Sequence, residues 1–387
     1  MKTAKWMRGL CLVLAVLLFA ACGIVAAETE EPTEEIVRED NEPEEVEEPE
    51  VPMEDDGTLG GIPADTVVVD LDIRPILWEE IYFDLHDFRF ALEVRGPIAD
   101  WDDVFEGQMM YDGEMTYNEF ALHRALQTAL ERRAVEVFFT ETLGEALEED
   151  FYDEIRQFVM DQQGFSEAEF HAALREGFLT EDVFRYINEI SGMYDAAMVA
   201  RFGAEGEEVT DVAVEEFVTS EGILRARHIL LSIRNEMNQE IPEEERAIVT
   251  AHAAALYAEL QALSGAAQIA RFDEMLAAYG EDPGMLANPT GYTFGPGVMV
   301  AEFTTGTLAL ALGEIGPPVP SFFGYHIILR LPVEREAIVM GRDVSVQRAA
   351  AMWQMEQDLG LTREALVYTL MPIFDEIVPS EIFAKTA

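Results

Sequence analysis

The strongest constraint on the fold is that the hydrophobic periodicity changes twice along the chain. Residues 66–220 carry apolar residues at helical spacing, residues 221–335 alternate between strand-like and helical patterns, and residues 336–387 return to a helical pattern. The last segment is too short to bury a good core alone, so we expect it to fold back onto the first helical segment. The sequence therefore predicts a mostly helical α+β fold in which residues 221–335 are an inserted α/β module.

Local signals support helices in the first segment. Ser166, Thr180 and Thr210 each precede an amphipathic run and are typical helix N-caps, because their side-chain oxygens can accept hydrogen bonds from the first turn. Glycines at 164, 177 and 203 fit helix ends. No strand-like run is evident between residues 66 and 220, which predicts helices throughout this segment.

The first 22 residues are typical of an export signal. A positive start is followed by an apolar run from Leu10 to Ala21, which is too short for a stable membrane span. The end of this run, Leu18–Gly23, resembles a bacterial lipobox, and that resemblance implies a signal peptide over residues 1–21 and lipidation of Cys22. Ordinary cleavage near Ala27 is the alternative.

An acidic segment follows the signal. Residues 28–57 contain sixteen Asp or Glu and four Pro, and such a composition resists folding because like charges repel and proline blocks regular structure. Residues 22–65 are therefore predicted to be a disordered tether between a membrane and the folded body.

Charge and cysteine content exclude several classes of function. The net charge is −51, so a nucleic-acid partner is not expected, because a polyanion would be repelled. A basic amphipathic membrane helix is excluded for the same reason. The two cysteines, Cys11 and Cys22, both lie in the signal region, so the folded part has no disulfide and no cysteine-based metal site.

Residues 225–332 resemble the parvulin family of peptidyl-prolyl cis-trans isomerases. Six short segments carry the resemblance in order: Arg227–Leu231, Phe272–Ala277, Tyr279–Asp282, Gly297–Phe303, Leu312–Ile315 and Phe323–Ile328. The resemblance implies a small antiparallel sheet surrounded by helices. It also implies prolyl isomerisation, a reaction that breaks no covalent bond, so neither a metal nor a cofactor is expected.

The family pattern also implies the residues of the site. The expected polar residues, which would form a hydrogen-bonded network under the twisted amide, are His228, Asp282, Ser321 and His326. The expected substrate-binding residues are Met299, Val300, Phe303 and Phe323. Three alternatives stay open: the histidine pair as a structural element of the core, Met299 and Phe303 as plain core residues, and Asp282 with Pro283 as a simple turn.

The whole layout resembles the extracytoplasmic foldases PrsA and SurA. It implies a lipid-anchored isomerase and chaperone outside the cytoplasmic membrane, whose clients are unfolded secreted polypeptides with X–Pro bonds. A homodimer is left open. Val300 stands where the family often has Gln, and Gly291 where an apolar side chain is usual. These departures keep open a second hypothesis, a non-catalytic holdase with a vestigial parvulin module.

Overall fold

A computed structural model describes residues 57–94, 96–105 and 115–386 of the chain, and these fall into two units. The first comprises the described residues up to Ala197 together with those from Asp358 onward, and the second is Met198–Gln357. The predicted boundaries at residues 220 and 335 lie inside the second unit. The predicted signal peptide, Cys22 and most of the predicted tether lie outside the described residues.

The elements are numbered in chain order. The helices are α1 (Trp78–Glu93), α2 (Tyr117–Val137), α3 (Phe151–Gln163), α4 (Glu167–Glu176), α5 (Glu181–Phe202), α6 (Asp211–Ser220), α7 (Glu243–Gln261), α8 (Gly265–Tyr279), α9 (Pro283–Ala287), α10 (Ala301–Leu308), α11 (Val346–Ala365) and α12 (Pro379–Lys385). The strands are β1 (Thr58–Leu59), β2 (Ile62–Pro63), β3 (Val67–Leu71), β4 (Ile76–Leu77), β5 (Leu224–Ser232), β6 (Tyr292–Phe294), β7 (Val319–Pro320), β8 (Gly324–Leu331), β9 (Ile338–Val339), β10 (Val344–Ser345) and β11 (Tyr368–Leu370). A π-helical turn, Phe138–Thr142, extends α2, and a 3-10 turn, Pro372–Glu376, precedes α12.

The helical prediction for residues 66–220 is wrong at its start. Val67–Leu71 forms β3, the middle strand of a three-stranded sheet in the order β11-β3-β4. β-Branched valines favour a strand here, and the partner strand β11 comes from the far end of the chain, with Thr369 opposite Asp70. The predicted tether likewise ends before residue 65, because β1 pairs with β2 and Leu59 is buried.

The predicted helix starts are confirmed. The hydroxyls of Ser166, Thr180 and Thr210 accept hydrogen bonds from the backbone N–H three residues later, at 3.4, 3.1 and 3.1 Å. Gly164 has the left-handed φ of 71° that ends α3. The three hydroxyls satisfy backbone N–H donors that a helix start otherwise leaves unpaired.

The second unit is built around a six-stranded sheet in the order β10-β9-β6-β5-β8-β7. Its centre is the antiparallel pair β5 and β8, which runs in register from Arg225 opposite Leu331 to Ser232 opposite Gly324. The other pairs are antiparallel except β6 and β9, which are parallel at Thr293 and Val339. The described fold is therefore mostly helical with a small sheet, as predicted.

Side-chain alternation gives the two faces of this sheet different partners. Ile229 and Ile327 point to the face covered by α7 and α8, where they pack with Phe272. Ala226 and Ile328 point to the opposite face, where they pack with Phe303 of α10. Because strand residues alternate with a period of two, His228 and His326 lie on this second face.

Gly324 lets β8 begin close to β5. Its φ of 151° lies in a region that side chains avoid, and a Cβ there would lie 2.1 Å from the Leu231 carbonyl oxygen. Only glycine therefore fits at this end of the pair, two residues before His326.

Over the described residues, no helix combines the length and apolarity needed to cross a bilayer.

Candidate active site

Two buried histidines form the centre of the candidate site. His228 lies on β5 opposite Ile328 of β8, and His326 lies on β8 opposite Leu230 of β5. The two histidines are therefore diagonal neighbours on one face of the sheet. Each is 4% exposed. The rings stack with centroids 5.0 Å apart and planes 16° apart, and their Nδ1 atoms are separated by 2.9 Å, which is a hydrogen-bond distance.

Asp282 extends the histidine pair at its His228 end. It stands at the N-cap of α9, in a loop fixed to β5 by the 3.0 Å bond from Glu281 N–H to the Leu230 carbonyl. Its Oδ1 accepts from the Gly284 N–H at 3.0 Å. Its Oδ2 lies 2.7 Å from His228 Nε2. The turn and the site contact predicted as alternatives are therefore both present, one on each carboxylate oxygen.

Ser321 extends the histidine pair at its His326 end. Its Oγ lies 2.6 Å from His326 Nε2 and accepts a 3.1 Å hydrogen bond from the backbone N–H of Phe323. The backbone N–H of Ser321 donates to the Gly324 carbonyl at 2.8 Å. The hydroxyl is thus held in place by the tight loop between β7 and β8.

The contacts define one consistent set of proton positions when both histidines are neutral. Ser321 donates to His326 Nε2, and His326 donates through Nδ1 to His228 Nδ1. His228 then donates through Nε2 to the Asp282 carboxylate. All four imidazole nitrogens are occupied, and the chain of polarised bonds ends on a negative charge.

The surroundings set the charge states of Asp282 and His326. Burial alone would raise the pKa of Asp282, but hydrogen bonds from His228 and Tyr292 outweigh it and hold the pKa at about 2. Burial lowers the pKa of His326 to about 3, with a further contribution from His228. At neutral pH Asp282 is therefore ionised and His326 is neutral.

Apolar side chains gather beside the histidines. Phe303 is 2% exposed, and its ring meets His228 and His326 edge-to-face at centroid distances of 4.9 and 5.5 Å. Met299 and Val300, both half-buried, pack against the same cluster as Phe303. The rest of that buried cluster consists of Leu224, Ala226, Met285, Tyr292, Phe294, Leu310 and Ile328.

The structure thus brings the residues predicted from sequence into one region. The four predicted polar residues form a single hydrogen-bonded chain, and three of the four predicted substrate-binding residues share one apolar cluster. Phe323 differs, because its backbone contacts Ser321 while its side chain is 42% exposed and meets the Phe322 ring edge-to-face. The roles of these residues in catalysis and binding stay predictions.

Tyr292 is a site residue that sequence reasoning missed. Its hydroxyl donates to Asp282 Oδ2 at 2.7 Å, and burial together with this bond raises the pKa of the phenol. A tyrosine at the start of a three-residue strand gives no sequence signal of this contact. It arises only because β6 pairs with β5 at Ala226.

Gly291, one of the two departures from the family pattern, has a structural cause. Its φ is 107°, and a Cβ there would lie 2.9 Å from the Ala226 carbonyl oxygen. The backbone therefore requires glycine at this position. Its neighbour Tyr292 belongs to the buried apolar cluster.

Metal chemistry finds no support in the geometry. Across residues 57–94, 96–105 and 115–386, no three His, Cys, Asp or Glu side chains are grouped so as to hold a metal ion. In the histidine pair, every ring nitrogen faces a hydrogen-bond partner within the chain. These nitrogens therefore order the site and leave no lone pair directed at a ligand.

We expect His326 to stay almost wholly neutral at pH 5, where an exposed histidine is mostly protonated. Its pKa of about 3 lies below the ordinary value of 6.5 because the ring is buried. The unfolded chain would bind this proton first, so His326 makes folding less favourable as the pH falls from about 6.5 to 3. Ring ¹⁵N shifts of the full chain, assigned with His326→Gln, measure this. A His326 signal that titrates near pH 6.5 would contradict it.

Comparisons with known proteins find similarity in the part of the chain that contains the candidate site. A family model described as Rotamase, the PPIC-type PPIase domain, matches residues 228–331. The foldase protein PrsA of Oceanobacillus iheyensis is 26% identical over 223 residues, which cover 57% of this chain and 62% of the relative. The chaperone SurA of Alkalilimnicola ehrlichii is 30% identical over 181 residues, covering 46% of this chain and 35% of the relative. The chain thus spans less than two thirds of the length of either of these curated relatives.

Solved structures of similar proteins include PrsA of Bacillus cereus, which is 17% identical with a TM-score of 0.29. The match covers 74% of this chain and 92% of that one. The parvulin NmPin of Nitrosopumilus maritimus is 23% identical with a TM-score of 0.20, covering 28% of this chain and 96% of that protein. The family-model match identifies residues 228–331 as a PPIC-type, or parvulin-type, rotamase domain, in a chain that is similar to the PrsA foldases and SurA chaperones.

Proposed function

We propose that this protein is a peptidyl-prolyl cis-trans isomerase and a chaperone for unfolded polypeptides outside the cytoplasmic membrane. The observation that carries the proposal is the hydrogen-bonded chain from Asp282 through the two histidines to Ser321, set beside the apolar cluster that contains Met299 and Phe303. The similarity to PrsA and SurA supports the chaperone part and the choice of unfolded protein as substrate.

The reaction needs a surface that favours a twisted amide. The X–Pro bond has cis and trans forms of similar energy, separated by a barrier of roughly 18–20 kcal/mol that arises from amide resonance. Uncatalysed exchange takes tens to hundreds of seconds and can limit folding. A catalyst must therefore bind the twisted state better than either planar state.

The apolar cluster would hold the proline ring. Met299 and Phe303 offer a flexible thioether and a fixed aromatic ring on the same side of the sheet. Phe303 contacts both histidines edge-to-face, so its ring would form a fixed part of the pocket wall before the substrate arrives. Val300 extends this wall with a half-buried aliphatic side chain.

The carboxylate of Asp282 would act on the carbonyl that precedes the proline. Resonance places partial negative charge on that oxygen in the planar amide, and twisting removes it. An ionised carboxylate nearby therefore destabilises the planar states more than the twisted state. With a pKa of about 2, Asp282 carries its charge throughout the physiological range, and its side chain is 21% exposed and so remains open to a substrate.

The cellular setting belongs to the same proposal. Lipidation at Cys22 would anchor the protein to the membrane through the acidic segment that follows, and secreted chains emerging unfolded would be its clients. One proline pocket would suit many different clients, because each unfolded client offers many X–Pro bonds. The alternative, a non-catalytic holdase, has no observation of its own in its favour.

Refolding of a client with a slow prolyl phase tests the proposal. We expect the full chain to accelerate that phase and to suppress aggregation of the same client. Met299→Ala should reduce the acceleration about 10-fold by loosening the proline pocket, while aggregation is still suppressed. Ile248→Ala, an exposed change on α7 across the sheet, is the control. If Met299→Ala accelerates the slow phase as much as the wild-type chain does, Met299 is not part of the proline pocket.

A further inference from the structure

The Asp282 carboxylate is held by two donors that do not belong to the histidine pair. The Tyr292 hydroxyl donates to Oδ2 at 2.7 Å, and the Gly284 N–H donates to Oδ1 at 3.0 Å. These two donors are here called the carboxylate clamp. They come from different elements, because Tyr292 begins β6 and Gly284 lies in α9.

The carboxylate clamp acts on both oxygens of Asp282. A carboxyl group rotates in a broad, roughly two-fold well about its terminal bond, so a single partner leaves its oxygens free to move. An ionised carboxylate offers about four acceptor positions. The clamp and His228 Nε2, which lies 2.7 Å from Oδ2, fill three of them. The charge is therefore held in one orientation, and one acceptor position is left on Oδ1.

The Tyr292 phenol is itself fixed in place. Its residue pairs with Ala226 of β5, its side chain belongs to the same buried cluster as Phe303, and it is 8% exposed. Burial and the bond to Asp282 both raise the pKa of the phenol, so the hydroxyl stays protonated and can donate at physiological pH. The sheet therefore holds this donor against the carboxylate.

Gly284 makes room for the phenol hydroxyl. A Cβ at residue 284 would lie 2.2 Å from the Tyr292 hydroxyl oxygen and 3.3 Å from Asp282 Oδ1. The glycine follows Pro283 in the first turn of α9, and its φ is not positive, so the backbone does not require glycine. Alanine would favour the helix more. The hydroxyl therefore explains the glycine, which is an observation independent of the hydrogen bond.

We propose that Tyr292 is a positioning residue of the isomerase, which holds the Asp282 carboxylate in the orientation that acts on the carbonyl before the proline, and that Gly284 provides the space this requires. The proposal rests on the proposed function and adds two residues to it. An electrostatic group is most effective when it is preorganised, because it need not reorient as the amide twists. Because Tyr292 acts through Asp282 and not on the client, its loss should lower kcat without raising KM.

A double-mutant cycle on the full chain tests the carboxylate clamp. Exchange NMR at several concentrations of one X–Pro peptide gives kcat and KM. We expect Tyr292→Phe to lower kcat about 3- to 10-fold, as the loss of one hydrogen bond would. Gly284→Ala should lower kcat by a similar factor, because its methyl group displaces the hydroxyl. The double variant should be no slower than either single variant, since phenylalanine has no hydroxyl to displace.

Tyr257→Phe is the matched control. Tyr257 lies on α7, on the other side of the sheet, where its hydroxyl accepts from Gln261 at 3.0 Å, so its removal should leave kcat unchanged. Three results overturn the proposal: a wild-type kcat in Tyr292→Phe, a loss in kcat/KM that comes from a higher KM, or losses that multiply in the double variant.

The charge state of Asp282 gives a readout that does not depend on activity. The groups that face this carboxylate are His228 on β5, Tyr292 on β6 and the Gly284 N–H on α9, with His326 of β8 behind His228. Their hydrogen bonds hold its pKa at about 2. Losing the phenol donor removes a bond that favours the charged form, so the pKa of Asp282 should rise in Tyr292→Phe.

This readout separates the carboxylate clamp from the proposed function. If the wild-type chain isomerises no peptide, the proposed function fails, and the carboxyl ¹³C shift of Asp282, assigned with Asp282→Asn, decides the clamp. The wild-type and Tyr257→Phe signals should stay constant between pH 7 and about pH 4, two units above the pKa of about 2. The Tyr292→Phe signal should begin to titrate in that range. A signal as constant as that of the wild type overturns the clamp.

Discussion

Asp282→Asn should lower kcat/KM for an X–Pro peptide by about 100-fold, the usual size of the loss when one preorganised electrostatic group is removed. The carboxylate uses both oxygens, one for Gly284 and one for His228 and Tyr292. An amide has only one acceptor oxygen, so asparagine loses the charge and also leaves one of these donors facing an NH₂ group. The measurement is exchange NMR on the full chain.

Glu259→Ala is the matched control for this change. Glu259 lies on α7, on the other side of the sheet, where its half-exposed carboxylate pairs with Arg271. Removing one such surface charge should change kcat/KM less than 2-fold, because exposed ion pairs contribute little. A rate in Asp282→Asn equal to that of the control, with the fold intact, would show that the carboxylate has no part in catalysis.

Phe303→Ala should lower the free energy of unfolding of the second unit by about 3–5 kcal/mol. The ring is almost fully buried and touches both histidines and Phe294, so truncation leaves a cavity next to a buried polar chain. We expect the isomerase activity to be lost as well, since the proline pocket loses its rigid wall. Urea unfolding followed by circular dichroism gives the stability change.

Leu308→Ala on the same helix provides the comparison. Leu308 is 57% exposed, so its truncation should cost within about 0.5 kcal/mol. Phe303→Leu should fall between the two, because leucine fills part of the cavity. A stability change in Phe303→Ala no larger than that of Leu308→Ala would contradict the packing described for α10.

Much of the candidate site could be predicted because its residues lie in short segments whose order resembles the parvulin family pattern. His228 and His326 each fall within an apolar strand pattern, and Asp282 precedes a proline where a helix starts. Tyr292 could not be predicted in the same way. Its contact with Asp282 depends on how β6 pairs with β5, and such non-local pairing leaves no trace in local periodicity.

The same difference between local and distant contacts explains which parts of the fold could be predicted. Helix starts at Ser166, Thr180 and Thr210 were predictable, because the capping side chain and the backbone N–H that it satisfies lie three residues apart. The strand β3 was missed because one of its partners, β11, lies about three hundred residues later in the chain, and the other, β4, is only two residues long.

Catalysed exchange of a prolyl peptide by the full-length chain is the most direct test of the central claim, which is that a proline pocket beside an ionised Asp282 speeds rotation about the X–Pro bond. Line-shape or exchange NMR should show cis/trans interconversion accelerated at catalytic concentrations of the wild-type chain, and this acceleration should be largely lost in Asp282→Asn. Interconversion at the uncatalysed rate, in a preparation that is folded and still prevents aggregation of an unfolded client, would contradict the claim and identify the protein as a holdase.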